Sequence, residues 1–191
     1  IGRAFLNAGI GYGGSCFPKD SQAFIKIAEK YGYDYKLLKA ANEINDEQKK
    51  DFLEKIKRAL GNINKKMIGV LGLSFKPNTD DMRFAPSIYI INELQKLGAE
   101  IQAYDPAAME KARDIFKNVE FCNDAYEVCK HADALLILTE WNEFKEIDIR
   151  KIKSLLKNPV IIDGRNIYAP NIMEKEGFRY ISIGRKEVFP K

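Results

Sequence analysis

The stretch Met67-Ile-Gly-Val-Leu-Gly-Leu73 decides the fold class, because a run without polar side chains predicts a strand that is buried on both faces. Similar apolar runs recur at Ala134-Leu-Leu-Ile-Leu138 and Val160-Ile-Ile162, with helical patterns between them. This alternation predicts an α/β fold in which helices cover both faces of a parallel sheet. The other predicted elements are helices at 86–97, 109–116, 125–130, 149–156 and 171–175, and strands at 100–104, 119–121 and, at the sheet edge, 180–183.

The residues before this sheet follow a different pattern, a glycine-rich loop and then two helices. The first helix is expected to begin at Pro18 and to end near Tyr31. The second is expected at 35–60, where apolar residues recur every three or four positions. At ~1.5 Å per residue this helix would be roughly 39 Å long. We therefore expect its apolar stripe to pack against another domain or another subunit.

The composition limits the classes of function. Of the 191 residues, 31 are Lys or Arg and 27 are Asp or Glu, which gives a net charge of +4. This small excess suits anionic small molecules better than nucleic acid. Three cysteines cannot form a disulfide framework, which indicates a reducing, cytoplasmic compartment. No apolar run reaches the length of a membrane span. Because the first residue is Ile1, the chain is expected to be part of something larger.

The stretch Gly11-Tyr-Gly-Gly-Ser-Cys16-Phe-Pro-Lys-Asp20 joins a flexible loop to a predicted helix. The four glycines between positions 9 and 14 let the backbone approach a ligand closely and donate N–H groups to it. Cys16 lies two residues before Pro18, so the positive end of the helix should favour a nucleophilic thiolate. Asp20 could orient or deprotonate a water molecule. The alternative is a buried thiol at a helix cap, but loop, proline and acid together favour a nucleophile.

The other cysteines are internal controls. Cys122 ends an apolar strand and Cys129 lies on a predicted helix, so both are expected to be inert core residues. Their spacing does not suit a tetrahedral metal site, and no metal is expected. His131, the only histidine, lies at a helix end and is expected to be a capping or surface residue. Any general base must therefore be a carboxylate or a lysine.

A loop after the first strand brings positive charge to the ligand-binding edge of the sheet. The loop Phe75-Lys-Pro-Asn-Thr-Asp-Asp-Met-Arg83 lacks the Gly-x-Gly-x-x-Gly pattern that binds dinucleotides. It offers Lys76 and Arg83 instead, which we expect Asp80 and Asp81 to hold. The alternative is a loop of surface ion pairs of little energetic value.

Asp163-Gly-Arg165 directly follows the strand at 160–162. Arg165 is expected to point over the same edge as Lys76, where it could bind a diphosphate with two hydrogen bonds. The alternative is an ion pair between Arg165 and either Asp163 or Asp148.

In chain order, these blocks resemble the nucleotide-sugar 6-dehydrogenase family, which includes UDP-glucose, UDP-N-acetylhexosamine and GDP-mannose types. The resemblance covers essentially the whole chain, and the cysteine and Phe-Lys-Pro blocks are specific to the family. Ile10-Gly-Tyr-Gly-Gly14 and Tyr180-Ile-Ser-Ile-Gly-Arg185 look most like the UDP-glucose enzymes of bacteria. The matching blocks are Gly11–Asp20, Phe75–Arg83, Tyr104-Asp-Pro106, Thr139-Glu-Trp141 and Asp163-Gly-Arg165.

The resemblance implies a Rossmann-like UDP-binding domain at 66–191. It implies a central helical region at 1–61, whose long helix, 35–60, builds a homodimer. The implied cofactor is NAD, which an N-terminal domain outside this chain binds, so the chain alone is expected to show no turnover. The implied partner is a UDP-sugar substrate, with neither nucleic acid nor membrane involved.

The resemblance also implies roles for single residues. Cys16 would attack the C6 aldehyde of the sugar to give a thiohemiacetal. A second hydride transfer to NAD would give a thioester, which water activated by Asp20 would hydrolyse. Lys19 and Arg83 match positions near NAD. The positions that match the substrate site are Phe5, Leu6, Asn7, Ala8, Gly9, Tyr12, Gly13, Lys76 and Arg165.

Three other functions are compatible with these residues: a 6-dehydrogenase of the UDP-N-acetylhexosamine or GDP-mannose type, a nucleotide-sugar-binding module without catalysis, and an oligomerisation module built on the long helix. Alkylation of Cys16 no faster than that of Cys122 would favour the binding module. The absence of any UDP-glucose binding would leave only the oligomerisation module.

Overall fold

The computed structural model describes residue 2 and residues 6–190, and its centre is a six-stranded parallel sheet. The strand order β3-β2-β1-β4-β5-β6 is the usual order of doubly wound dinucleotide-binding folds. The predicted parallel α/β fold is therefore confirmed. The strands are β1 (Met67–Leu71), β2 (Glu100–Tyr104), β3 (Val119–Phe121), β4 (Ala134–Ile137), β5 (Val160–Asp163) and β6 (Arg179–Ser182).

The helices agree with the sequence pattern in most places. One prediction was wrong, and one helix was missed. The helix expected at 125–130 is a single 3-10 turn, Glu127–Cys129, and the short helix Asn142–Lys145 was not predicted. The α-helices are α1 (Phe17–Lys30), α2 (Lys36–Leu60), α3 (Pro86–Lys96), α4 (Met109–Ile115), α5 (Asn142–Lys145), α6 (Ile149–Leu155) and α7 (Pro170–Lys175).

Two apolar clusters cover the two faces of the sheet, because successive side chains of a strand point to opposite faces. In β4, Leu136 packs into one cluster, while Leu135 and Ile137 pack into the other. The first cluster contains side chains of α2, α3 and α4, and the second contains those of α5, α6, α7 and the 3-10 turn. The helices therefore lie on both faces, as predicted.

Helix α2 is divided between two environments. Its C-terminal half belongs to the sheet, since Phe52, Leu53 and Ile56 are buried in the first cluster. In its N-terminal half, Leu37 is 78% exposed and Ile44 is 62% exposed. Only the C-terminal half of the expected apolar stripe is therefore packed within this chain. No helix in the described part of the chain combines the length and hydrophobicity that a membrane span requires.

The loops at the carboxyl edge of the sheet are tied together by one buried carboxylate. Asp105 accepts hydrogen bonds from the backbone N–H groups of Leu73 at 2.7 Å and Ser74 at 3.0 Å. It also accepts one from the indole N–H of Trp141 at 3.2 Å. A buried acceptor with several donors holds its neighbours firmly. Asp105 therefore fixes the loops after β1 and β4, which form one wall of the site.

Candidate functional site

A cleft of about 490 Å³ lies where the glycine loop, α2 and the carboxyl edge of the sheet meet. It brings together six of the residues that the sequence predicted for substrate binding. It is lined by Asn7, Gly9, Gly11, Tyr12, Gly13, Phe17, Ala41, Ile44, Asn45, Gln48, Phe75, Lys76, Glu140 and Arg165. A cleft of this size with a few polar groups is typical of a small-molecule site.

The glycine loop is attached to α2 by three amide side chains. Asn45 accepts a hydrogen bond from the backbone N–H of Tyr12 at 2.7 Å, and Asn42 accepts one from the Tyr12 hydroxyl at 2.6 Å. Gln48 donates to the carbonyl of Gly9 at 2.7 Å. Residues three positions apart share one side of a helix, so the amides form a row facing the loop. Burial raises the pKa of Tyr12, which keeps its hydroxyl protonated as a donor.

The other side of the glycine loop rests on the loop after β1. The backbone N–H of Gly14 donates to the carbonyl of Arg83 at 2.7 Å. At Gly13 there is no space for a side chain, because an added Cβ would collide with the backbone carbonyl of Phe84. Glycine is required here for the close approach of two backbones. The glycine loop is thus held between α2 and the sheet edge.

Cys16 is the N-cap of α1 and is exposed. The helix begins at Phe17, one residue earlier than Pro18, so the sulfur lies closer to the helix N-terminus than the sequence indicated. The Cys16 Sγ is 3.8 Å from the Ser15 hydroxyl. Cys16 does not line the cleft, but Phe17 does. The thiol therefore lies beside the cleft, at the N-terminal end of α1.

Asp20 and Lys19 lie in the first turn of α1, on the exposed side. The backbone N–H of Asp20 donates to the carbonyl of Cys16 at 2.8 Å, so the two residues are one helical turn apart. Lys19 and Asp20 form an ion pair at 3.3 Å, in which both side chains are more than half exposed. Such a pair adds little stability, so both side chains are free to rearrange towards a ligand.

Arg83 lies within electrostatic reach of Cys16. The Arg83 guanidinium donates to both carboxylate oxygens of Asp81, as expected, and this hydrogen bonding raises the pKa of Arg83. The electrostatic interaction with Cys16 acts in the same direction. Asp80 was expected to help hold the cations of this loop, but it pairs with Lys111 at 2.7 Å, which was not foreseen.

Lys76 and Arg165 are the cations that line the cleft. Lys76 is exposed and lies 5.4 Å from the ring centroid of Phe75, and it forms no ion pair with a carboxylate of the described residues. The Arg165 side chain pairs with Glu140, at 2.6 Å from Nη2 to Oε1. The alternative pairings of the Arg165 side chain with Asp163 or Asp148 were wrong.

Asp163 and Asp148 have structural roles instead. Asp163 is buried, and it accepts hydrogen bonds from the backbone N–H of Arg165 at 2.8 Å and from the Tyr180 hydroxyl at 2.7 Å. Burial raises the pKa of Asp163, while these hydrogen bonds oppose that rise. Asp148 caps α6 by accepting from the backbone of Arg150 and Lys151. Asp163 therefore fixes the backbone from which Arg165 extends.

The control residues match their predictions. Cys122 and Cys129 are buried, and burial raises their pKa to about 11 and about 12. His131 is exposed, and its backbone N–H donates to the carbonyl of Leu155. Among the three cysteines, Cys16 alone is exposed.

A second cleft of about 540 Å³ shares Asn7, Glu140 and Arg165 with the first. Leu6 and Ala8 line this second cleft. Phe5 was also predicted for substrate binding and lies outside the described residues.

Sequence reasoning missed the contribution of α2 and of Glu140 to the cleft. Asn45 and Gln48 line it, although the pattern of α2 indicated only a packing stripe. The available signal was the presence of amide side chains on a stripe that is otherwise apolar. For Glu140 there was no local signal, since its partner Arg165 is 25 positions away.

The sequence matches two models of one family. The model described as "UDP-glucose/GDP-mannose dehydrogenase family, UDP binding domain" matches residues 69–170. The model of the central domain of that family matches residues 1–47.

Individual proteins that are similar to this chain are UDP-glucose dehydrogenases. UDP-glucose 6-dehydrogenase TuaD of Bacillus subtilis is 49% identical over 189 residues, which is 98% of this chain and 41% of that protein. A UDP-glucose 6-dehydrogenase of Rhizobium meliloti is 46% identical, over 98% of this chain and 43% of that protein. The solved structure of a UDP-glucose dehydrogenase from the archaeon Pyrobaculum islandicum superposes with a TM-score of 0.82 at 33% identity, over 95% of this chain and 40% of that one. The chain thus spans about two fifths of the length of these relatives.

Proposed function

The chain belongs to the UDP-glucose/GDP-mannose dehydrogenase family, and we propose that it is the substrate-binding, thiol-bearing part of an NAD-dependent UDP-glucose 6-dehydrogenase. The reaction is the oxidation of the C6 alcohol of UDP-glucose to the carboxylate of UDP-glucuronate. The relatives from Bacillus subtilis and Rhizobium meliloti are UDP-glucose 6-dehydrogenases, which supports this choice of sugar. Because the chain spans about two fifths of their length, we expect no turnover from it alone.

One observation supports this function most strongly. A single glycine loop borders a cleft that contains two cations. An exposed cysteine follows this loop directly in the chain. Lys76 and Arg165 supply the positive charge that a diphosphate requires. Asn7, Gly9, Tyr12 and Gly13 line the same cleft, and we assign them to the nucleotide sugar together with Leu6, Ala8 and Phe5.

In the mechanism we propose, Cys16 is the nucleophile. Its thiolate adds to the C6 aldehyde carbon, and the electron pair of the C=O bond moves to the oxygen, which takes up a proton. After oxidation the same carbon is a thioester. Asp20, one helical turn from Cys16, takes a proton from water as the water adds to the thioester carbon. The C–S bond then breaks, and the thiolate and the uronate are released.

NAD, when bound, accepts the hydride that leaves C6 in each of the two oxidations. Lys19 and Arg83 are the residues of this chain that we assign to it. Their position fits an anionic cofactor, because both cations are largely exposed on the side of the glycine loop where Cys16 lies. Asp20, which pairs with Lys19, is more than half exposed and can yield to a phosphate at low cost.

We also propose that α2 forms a homodimer through its N-terminal half. Leu37 and Ile44 are exposed there, whereas the C-terminal half of the same helix is buried in this chain. An amphipathic helix of 25 residues with one half uncovered suits a partner helix of the same kind.

A second function, a nucleotide-sugar-binding module without chemistry, has one observation in its favour. Cys16 does not line the cleft, whereas the next residue, Phe17, does. In this case the cleft would bind its ligand and the thiol would be incidental. The two functions differ in the reactivity expected of Cys16.

Calorimetry with UDP tests the proposed binding site. We expect Arg165→Ala to weaken UDP binding by about tenfold or more, since it removes a charge-assisted contact to phosphate. Cys16→Ala should bind UDP as wild type does, because the sulfur lies outside the cleft. Equal affinity of Arg165→Ala and wild type would refute the role of Arg165.

A further inference from the structure

Glu140 is the only acidic residue that lines the cleft within the described chain, and it faces one of the two cations there. Its Oε1 accepts from Nη2 of Arg165 at 2.6 Å, and its Oε2 lies 2.6 Å from Nε of the same guanidinium. The carboxylate therefore occupies the edge of the guanidinium formed by Nε and Nη2. Both side chains are largely covered, at 16% exposure for Arg165 and 27% for Glu140.

The other end of the guanidinium points towards the glycine loop. A Cβ added at Gly9 would lie 2.5 Å from Nη1 of Arg165, so the backbone of Gly9 passes directly beside that nitrogen. Gly9 and Arg165 both line the cleft. Nη1 is thus the nitrogen of Arg165 that approaches the loop assigned to the ligand.

Oε2 of Glu140 and Nε of Arg165 have no other group to interact with among the described residues. Although Nε and Oε2 are only 2.6 Å apart, their angle does not make a hydrogen bond, and each is buried without another partner. Removing the carboxylate would leave a buried charge uncompensated, and the long arginine side chain would then turn away to reach water.

We propose that Glu140 is a positioning residue: it holds Arg165 by the Nε–Nη2 edge and so keeps Nη1 beside Gly9, ready for a phosphate oxygen of the nucleotide sugar. This inference rests on the proposed function. It has a definite opposite, in which Glu140 competes with the phosphate for Arg165. The two predict opposite signs for the effect of removing the carboxylate, because loss of a competing negative charge would strengthen anion binding.

The test is calorimetry with UDP on the 191-residue chain. Glu140→Ala is expected to bind UDP about tenfold more weakly, and Glu140→Gln about threefold more weakly, since the amide oxygen still accepts from Nη2. In an Arg165→Ala background, Glu140→Ala should have no further effect, because the two residues act as one unit. UDP binding by Glu140→Ala that equals or exceeds wild type would overturn the inference. If Glu140→Ala fails to fold, the near-isosteric Glu140→Gln replaces it: weaker UDP binding than wild type supports the inference, and equal or tighter binding overturns it.

Glu176→Ala is the matched control. Glu176 binds Arg150 by the same edge, with Nε–Oε2 at 2.9 Å and Nη2–Oε1 at 3.2 Å, but neither residue lines the cleft. Its removal should leave UDP affinity unchanged. A loss equal to that of Glu140→Ala would show a general charge effect and would contradict the inference.

A second readout does not depend on UDP. In NMR spectra, the Nε–H signal of Arg165 should exchange with water faster in Glu140→Ala than in wild type, and the Glu176→Ala spectrum should keep it unchanged. If wild type does not bind UDP, the proposed function fails, and the exchange rate still decides whether Glu140 holds Arg165. An unchanged rate in Glu140→Ala would overturn the inference by itself.

Discussion

The sheet domain and the segment formed by the glycine loop and α1 are built by different forces. The sheet has an apolar cluster on each face, and every residue of β4 is buried. Helix α1 has no buried residue, and its apolar Phe24 and Ile27 are more than half exposed. The loop before α1 is held by hydrogen bonds with side chains of α2 and by one that it donates to the carbonyl of Arg83. The sheet domain is therefore stabilised by apolar burial, whereas the glycine loop and α1 are held in position by polar contacts.

This difference explains why we place the proposed chemistry at the glycine loop. A thiol inside either apolar cluster, such as Cys129, is protonated and out of reach. The glycine loop can approach a ligand because it carries few side chains, and it keeps its position because α2 anchors its backbone. Loops positioned by a rigid scaffold commonly carry function.

The largest expected effect comes from truncating the same residue type in the two regions. Phe52→Ala should lower the free energy of unfolding by about 3–5 kcal/mol, because Phe52 is fully buried against the sheet. Phe24→Ala should change it by less than about 0.5 kcal/mol, because that ring is mostly exposed. Denaturant titration measures both. A loss at Phe24 as large as at Phe52 would mean that α1 is covered in solution.

The next effect is the contrast between the cysteines. With pKa values of about 11 and about 12, Cys122 and Cys129 are thiolate to roughly one part in 10⁴ and 10⁵ at pH 7. We expect iodoacetamide to label Cys16 at least about 100-fold faster than Cys122. Raising the pH from 7 to 9 should increase the thiolate fraction of Cys122, and with it the labelling rate of Cys122, about 100-fold. Peptide mass spectrometry measures the labelling rates. Equal rates for Cys16 and Cys122 at pH 7 would contradict this prediction.

A smaller effect is expected where the two regions touch. Gly13→Ala places a Cβ against the backbone carbonyl of Phe84, which cannot move aside as a side chain could, so the loop must shift. UDP binding should weaken by about tenfold, while the sheet keeps its stability. Gly32→Ala is the control for backbone strain alone: its Cβ meets nothing within 4 Å, but its positive φ disfavours a side chain, so it should cost stability and leave UDP affinity unchanged. Unchanged UDP affinity in Gly13→Ala would show that the loop position does not matter for binding.

Much of the fold follows from the sequence, because strands buried on both faces leave uninterrupted apolar runs. All six strands were predicted close to their bounds, and β2 and β3 matched fully. Helix α5 was missed because four residues, Asn142–Lys145, are too few to show a helical period. The helix predicted at 125–130 was too long, because the apolar neighbours of the 3-10 turn at Glu127–Cys129 continue a helical pattern. The family suggested by the sequence motifs is confirmed by the matching family models.

The site was less accessible from sequence. The motifs identified Lys76, Arg165 and the glycine loop, which line one cleft. The Glu140–Arg165 pair joins the ends of two strands and is a property of the tertiary fold, so no spacing rule reveals it. The position of Cys16 beside the cleft also depends on where α1 begins, and sequence fixes helix ends only within a few residues.

The central claim is that Cys16 is the nucleophile of a UDP-glucose 6-dehydrogenase. The most direct measurement is NADH release from UDP-glucose by this chain joined to the part of its relatives that it does not span, with and without Cys16→Ala. We predict two NADH per UDP-glucose for the unaltered protein and no turnover to UDP-glucuronate for Cys16→Ala. Sustained formation of UDP-glucuronate by Cys16→Ala would contradict the claim.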